Sequence, residues 1–415
     1  MPVYAFAEQV NEERGNTMKI ASMPPELAND LALRHKRMQT MMHMQHVDAC
    51  LLTGNANLCY AIGMMAKGYF YLPEEGSAFL FVHKSMPLEG ENVFLYSRLD
   101  EIPQILKNQG VEMPLTLALE EDEISAREYQ QIVKVFSPAQ PMPNANIART
   151  ARMIKTPYEI AQMRADGAKL AERYQEIPGL YEAGMTDLEF SASIEHDFRR
   201  HGHQGLFRTF GFRMEAHMGT VLAGDNAFYP SPYDFSLGGK GLHPLLPLGP
   251  AGHVIQRGMS VMVDLSGNFS GFMLDLSRTF SLGPLTQRAY DLHQISIEIL
   301  DTLVNMGKPG VLCNQLYEKA YELVDRHGAQ SGFMGLQKQA KFIGHGIGYE
   351  INELPVISAR YAMPLEKDMV IALEPKFVIP GVGAVGAEDS FVVTDSGLEA
   401  ITNRVTRGIV DLQKL

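Results

Sequence analysis

Cysteine is scarce. The chain has three in 415 residues, Cys50, Cys59 and Cys313, an odd number with no metal-site spacing. That argues against a disulfide framework and for a reducing compartment, so a cytoplasmic protein is expected. Long apolar runs are missing too. Nothing approaches 18 uncharged apolar residues, so no membrane span is read. The start, Met-Pro-Val-Tyr-Ala-Phe-Ala-Glu, lacks a basic stretch followed by an apolar one, so no signal peptide is read. Positive charge is the minority: 36 Lys and Arg against 48 Asp and Glu, a net charge of −12. A nucleic-acid backbone is therefore not an expected partner. We find no repeat with a period of 20–50 residues and no serine-hydrolase elbow. Gly381-Val-Gly-Ala-Val-Gly386 fits G-x-G-x-x-G, but Ala-Glu-Asp-Ser-Phe-Val-Val follows it, which reads as a strand. A dinucleotide fingerprint needs a helix there.

What is present suffices for two packed domains, since 46% of the residues are hydrophobic and single cores seldom grow past roughly 250–300 residues. The 24 methionines are expected as core filling. Residues 1–30 read as a loosely fixed arm. From Arg34 to Asn146 helical stretches alternate with short buried-strand candidates at Ala49, Ala78 and Asn92, which suggests a small α/β domain. Pro138-Ala-Gln-Pro-Met-Pro-Asn is a linker candidate, and we divide the chain into domains 1–150 and 151–415. The second domain opens with capping boxes at Thr156 and Thr186. Helices are expected at 157–176, 187–202, 286–306 and 313–327. Strand-rich segments at 206–224, 260–282 and 368–394 make this half α+β. Residues 225–257 form a long Pro/Gly/aromatic loop, the expected rim of a site.

Two acidic hairpins carry the chemistry. Asp264 and Asp275 sit in apolar runs on either side of Ser-Gly-Asn-Phe-Ser-Gly. A turn centred between Phe269 and Ser270 puts them directly opposite, with Cβ atoms about 5 Å apart. Like charges so placed repel unless a cation lies between them. A second hairpin, turning on Gly381, sets Glu374 against Glu388. Between the hairpins lies Gly344-His345-Gly346, whose glycines allow close approach. Four carboxylates and one imidazole match two divalent cations of the Mn²⁺, Co²⁺, Fe²⁺ or Zn²⁺ kind. Such a pair can activate a bridging water.

These residues resemble the pita-bread metallopeptidases, which include Xaa-Pro aminopeptidases, prolidases and creatinase. The resemblance rests on the aspartate pair with Asp275-Leu-Ser-Arg-Thr-Phe, on Gly-His345-Gly-Ile-Gly, on Leu-Glu374-Pro, and on Glu388-Asp followed by Val-Thr-Asp-Ser-Gly-Leu-Glu-Ala-Ile-Thr. It covers about residues 150–410. Asn57-Leu-Cys-Tyr-Ala-Ile-Gly is similar to the creatinase-type N-terminal domain, which favours the Xaa-Pro aminopeptidase, prolidase and creatinase branch. The resemblance implies an α+β pita-bread catalytic domain behind a smaller α/β domain. It implies metal ligation by Asp264, Asp275, His345, Glu374 and Glu388, with Asp275 and Glu388 bridging two ions, Mn²⁺ first. Glu374 would relay protons while metal-bridged water attacks an amide carbonyl of a small peptide. His243 is the candidate for a further catalytic, substrate-contacting histidine, with His217 and His253 behind it. Tyr229 and Asn352 are candidate substrate contacts. Arg278 is expected as the anion partner of a site carboxylate. A homodimer is implied.

Two positions depart from the peptidases. Asn352 stands seven residues after His345, where they carry a second histidine, and Asn cannot relay a proton near pH 7. Gly386 stands two before Glu388, where they carry an arginine. The alternatives are therefore a C–N hydrolase or dimethylsulfoniopropionate-type lyase on the same scaffold, or a binding protein with little catalysis.

Overall fold

The computed structural model describes residues 19–21, 23–143, 145–211, 214–215, 218–233, 235–402 and 404–413. His217 and residues 1–18 of the expected arm lie outside them. The remaining arm is shorter than expected, because a helix already begins at Pro25 and runs to Gln45. Proline at its first turn needs no intrahelical partner for the N–H it lacks, and Glu26 complements the N-terminal dipole.

The chain divides into a unit that ends at Tyr158 and one that starts at Glu159. The first unit is built on a six-stranded mixed sheet, in the order Val93–Tyr96, Phe79–His83, Gly68–Pro73, Ala49–Leu52, Thr116–Ala118, Gln140–Met142. All three expected strands are there. Alternate residues Leu51, Tyr69, Tyr71, Phe79 and Phe81 pack on one face with Ile102, Leu106, Ile132 and Phe136. Glu120 is buried there, and Gly54 N–H and Asn57 Nδ2 donate to its carboxylate.

In the second unit, helices Pro157–Glu176, Asp187–Arg200, Gln287–Met306 and Cys313–Arg326 fall within two residues of expectation. The Thr186 capping box is complete: Thr186 Oγ1 accepts from Glu189 N–H at 3.1 Å, and Glu189 Oε2 accepts from Thr186 N–H at 2.9 Å. A four-stranded sheet orders Val410–Asp411, Leu274–Ser281, Ser260–Gly267, Gly219–Ala223. A five-stranded sheet orders Glu353–Ser358, Phe342–Gly346, Val370–Leu373, Asp389–Thr394, Gly397–Ala400. A two-stranded ribbon, Lys376–Ile379 with Gly383–Gly386, completes the set. The Gly383–Gly386 stretch is strand, in line with the rejected nucleotide motif. Helices with mostly antiparallel strands make the unit α+β.

Residues 225–257 are mostly loop, and Asp187 anchors them. Its buried carboxylate accepts from the N–H groups of Ala251, Gly252 and His253 at 2.8–3.0 Å and from Asn226 Nδ2 at 3.2 Å. A helix-start carboxylate thus fixes both ends of the excursion that reaches the site.

Candidate metal centre

The first ligand hairpin pairs Ser260–Gly267 with Leu274–Ser281. Its register differs from expectation by two residues. Asp264 faces Ser277, and Asp275 faces Ser266. The turn is the cause. It spans Asn268–Met273, with Gly271 at φ +106°, a conformation that favours glycine. Gly271 N–H donates to Asn268 Oδ1 at 3.1 Å, while Ser270 N–H and Oγ–H donate to Asp166 Oδ2 at 2.8 and 2.6 Å. Because Asp275 and Ser277 are two apart on one strand, the aspartates still share a face, as a diagonal pair.

The second hairpin has the expected register. Lys376 pairs with Gly386 and Leu373 with Asp389, so Glu374 and Glu388 meet where ribbon passes into sheet. Glu388 N–H donates to Ser277 O at 3.1 Å. Ser390 Oγ donates to Asp275 O at 2.9 Å and accepts from Asp275 N–H at 3.0 Å. These contacts clasp one hairpin to the other. Arg278 reinforces them, although its carboxylate partner is Asp389, at 2.7 Å, and not an expected ligand. It reaches Glu388 through the main-chain oxygen, at 2.6 Å. His345 lies between Val356 and Ala372 on the neighbouring strands. Its flanking glycines serve those strands. A Cβ on Gly344 would lie 2.2 Å from Ala372 O, and one on Gly346 2.0 Å from Leu354 O.

The side chains converge. One donor atom each from Asp275, His345 and Glu388 lies within 4.8 Å of the other two. His345 Nε2 is 3.8 Å from Asp275 Oδ2 and 3.7 Å from Glu374 Oε1. Glu388 Oε1 is buried without a hydrogen-bond partner. An orphaned carboxylate oxygen is costly, and a divalent ion held among these donors would supply the missing partner. Oxygen donors with one imidazole suit Mn²⁺, Co²⁺, Fe²⁺ or Zn²⁺.

Two residues that sequence reasoning missed complete the cluster. Ser236 Oγ, from the long loop, donates to Glu374 Oε2 at 2.7 Å. Lys376 is wholly buried. Its Nζ stands 3.0 Å from Asp264 Oδ2, 2.9 Å from Glu374 Oε2 and 3.5 Å from Glu388 Oε2. The signal for Lys376 was available: residues two apart along an extended chain point the same way, so Lys376 had to follow Glu374.

Charge follows from this packing. Burial pushes Asp264, Asp275 and Glu388 above the usual carboxylate range. Asp264 and Glu374 add to the rise at Asp275, and Asp275 adds to it at Glu388. Glu374 goes the other way: burial opposes its ionisation, but Lys376, His345 and Ser236 outweigh it and hold the carboxyl below its ordinary value. Burial alone would lower Lys376, yet the carboxylates of Asp264, Glu374 and Glu388 hold it well above the usual lysine range.

These groups open into a cleft of about 530 Å³, counting the part open to solvent. Asp264, Asp275, His345, Glu374 and Glu388 form its floor, Asn352 stands in the wall, and Phe207, Met214, Phe235, Leu237 and Ile351 supply apolar surface. Asn352 Oδ1 accepts from Phe210 N–H at 2.9 Å. The remaining substrate candidates are placed elsewhere. His243 is exposed, its Nδ1 accepting from Leu245 N–H at 3.2 Å in a tight turn that keeps it off the cleft wall. Tyr229 is 40% exposed at the start of the loop and also lies outside the wall. His253 is exposed as well, with its backbone fixed by Asp187.

The model of metallopeptidase family M24 matches residues 161–395, more than half of the chain. The chain belongs to metallopeptidase family M24. The creatinase/prolidase N-terminal domain matches residues 34–154, ahead of it. This M24 chain is 26% identical over 387 residues to an Xaa-Pro dipeptidase of Pyrococcus furiosus, covering 89% of this chain and 97% of that one. It is 25% identical over 295 residues to an Xaa-Pro dipeptidase of Lactobacillus helveticus, covering 69% and 70%. In fold it is similar to the Xaa-Pro dipeptidase from Bacillus anthracis, with TM-score 0.75 and 20% identity over 92% of this chain and 99% of that one. The prolidase from Pyrococcus horikoshii gives TM-score 0.72 and 21% identity over 91% and 100%. The α+β second unit is thus the M24 pita-bread catalytic domain behind a creatinase-type domain, and the chain is a hydrolase of that family.

Proposed function

We propose that this M24 hydrolase is an Xaa-Pro dipeptidase-like or prolidase-like enzyme that cleaves an amide bond of a small peptide, with Mn²⁺ as its first-choice ion and Co²⁺, Fe²⁺ or Zn²⁺ as substitutes. The convergence of Asp275, His345 and Glu388 beside a buried, orphaned carboxylate oxygen carries this reading. When bound, the ion makes water nucleophilic near neutral pH and polarises the scissile carbonyl. Asp275, His345 and Glu388 would hold it. Glu374 Oε2 is fixed by Ser236 and Lys376, so Oε1 is the oxygen left to take a proton and return it to the leaving amine. The aromatic wall of Phe207 and Phe235 would cover an apolar side chain and exclude bulk water. The same reading carries a homodimer, on the family resemblance, in a reducing cytoplasm. Among the described residues Cys50 and Cys313 are free thiols and buried, and no helix is long and apolar enough to cross a membrane.

One observation favours a second reading, a C–N hydrolase or lyase on the same scaffold. Asn352 stands in the cleft wall with its oxygen committed to Phe210 N–H, so no histidine relay operates from that position. One experiment separates the two. The Mn²⁺-loaded protein and its Asn352→His variant are assayed against a panel of Xaa-Pro dipeptides, with ion content measured alongside. Turnover of at least one dipeptide is expected, and Asn352→His should raise kcat/KM about tenfold or more, since a positioned general acid–base group contributes roughly 10²–10⁴-fold. No turnover at full ion occupancy overturns the peptidase reading and leaves the second.

A further inference from the structure

Lys376 changes how many ions the centre can take. We propose that its ammonium occupies the place of one of the two divalent ions, so that the centre binds a single ion on Asp275, His345 and Glu388, with Glu374 Oε1 adjacent. The inference rests on the metal-dependent reading above and goes beyond it in ion count.

Three observations carry it. The first is geometric. Lys376 Nζ lies 3.0 Å from Asp264 Oδ2 and 2.9 Å from Glu374 Oε2, both hydrogen-bond distances. A divalent ion on Asp264 would bind oxygen at about 2.0–2.2 Å. An ion on Oδ2 would share that oxygen with the ammonium. Asp264 is correspondingly outside the set of donor atoms that lie within 4.8 Å of one another.

The second is that the ammonium has nowhere else to go. The Lys376 side chain is 0% exposed, and Lys376 N–H and C=O are on the ribbon whose partner residue is Gly386. Moving the charge off its three carboxylates would leave it buried and unpaired, which is strongly unfavourable. The chain has made room for it. A Cβ on Gly386, at φ +150°, would lie 2.9 Å from Lys376 Cβ and 2.8 Å from Lys376 Cα.

The third is charge. Four carboxylates converge here. Two divalent ions neutralise them without help. With Lys376 fixed among them, one divalent ion leaves a single negative charge, whereas two would leave a net positive charge in a buried site. The free donors agree: Glu388 Oε1 is unpartnered, while Glu388 Oε2 is the oxygen nearest Lys376.

The test counts ions. The full-length protein is loaded with excess Mn²⁺, freed of unbound metal, and analysed by inductively coupled plasma mass spectrometry and by electron paramagnetic resonance. One Mn²⁺ per chain and an uncoupled six-line spectrum are expected. Lys376→Met, which keeps the stem and removes the charge, should bind two ions and show an exchange-coupled spectrum. Lys376→Gln serves the same purpose if the methionine variant does not fold. Two ions in the unmodified protein overturn the inference and leave the proposed function standing. One ion in both the protein and its lysine variants overturns the role given to Lys376. No ion in any form overturns the inference and the metal-dependent reading together.

Discussion

Glu374 is held by three neighbours of different kinds, and each constrains a different property. Ser236 fixes its rotamer, Lys376 fixes its charge, and His345 faces the oxygen that remains. Glu374 Oε1 lies beside the proposed ion, and partners that orient the groups around a metal are worth roughly 10–100-fold in metal affinity or activity. Ser236→Ala should therefore weaken Mn²⁺ binding about tenfold or more, as read by competition against a chelator, with the fold unchanged by circular dichroism. A dissociation constant within twofold of the unmodified protein would show that the serine contact is dispensable. Legibility differed sharply among these residues. The acidic side chains and His345 stood out because several like charges at hairpin spacing have few other uses. Ser236 did not, because a serine in a Pro/Gly/aromatic loop reads as an ordinary turn residue and its partner is 138 positions away. His243 and Tyr229 were read from residue type, which suits a substrate contact, but neither is among the residues that line the cleft.

At the scale of elements, the first hairpin owes its geometry to a tyrosine on a helix. Tyr174 is fully buried, and its hydroxyl is inserted between the two strands at the Leu265–Leu276 pair, flanked by the two aspartates. It accepts from Leu265 N–H at 3.0 Å and donates to Leu276 O. Tyr174→Phe would leave both backbone groups without that partner, at a cost of about 1–3 kcal/mol. A fall in melting temperature of a few degrees, up to about 10 °C, is expected; a change below about 1 °C would mean that the strands re-pair without the hydroxyl. Periodicity and capping signals located the helices well, because amphipathic pattern and N-cap chemistry are local. The register of this hairpin was not legible for the converse reason. It depends on Asp166, a hundred residues upstream, gripping Ser270 in the turn. The second hairpin is gripped at its tip as well, by Asp225 on Gly381 N–H at 2.9 Å and by Ser260 N–H and Oγ–H on Val382 O at 2.9 and 3.1 Å, but there the register is the one the turn glycine alone indicated.

For the molecule as a whole, buried histidines set the acid limit of stability. Burial lowers His35 to about 4, against a backbone hydrogen bond to Ala61 O that works the other way. His203 and His293 are lowered too, chiefly by burial. A depressed histidine is neutral when folded and protonated when unfolded between its two pKa values. The unfolded chain then binds more protons, so stability falls as pH drops from about 6.5 toward 4. For His35 alone the loss approaches about 3 kcal/mol across that window. His35→Gln, which keeps a donor toward Ala61 O, should lessen the drop in melting temperature between pH 7 and pH 4. Equal drops in both proteins would refute a role for His35.

The clasp of Ser390 on the Asp275 backbone has a consequence for how the centre comes into being. Asp264 and Glu388 are about 120 residues apart in sequence, and neither hairpin alone gathers enough donors to retain an ion. A growing polypeptide emerging from the ribosome would therefore offer no competent chelating pocket until the segment that carries Glu388 had docked. Metal acquisition would come at the end of folding, as its reward rather than its template.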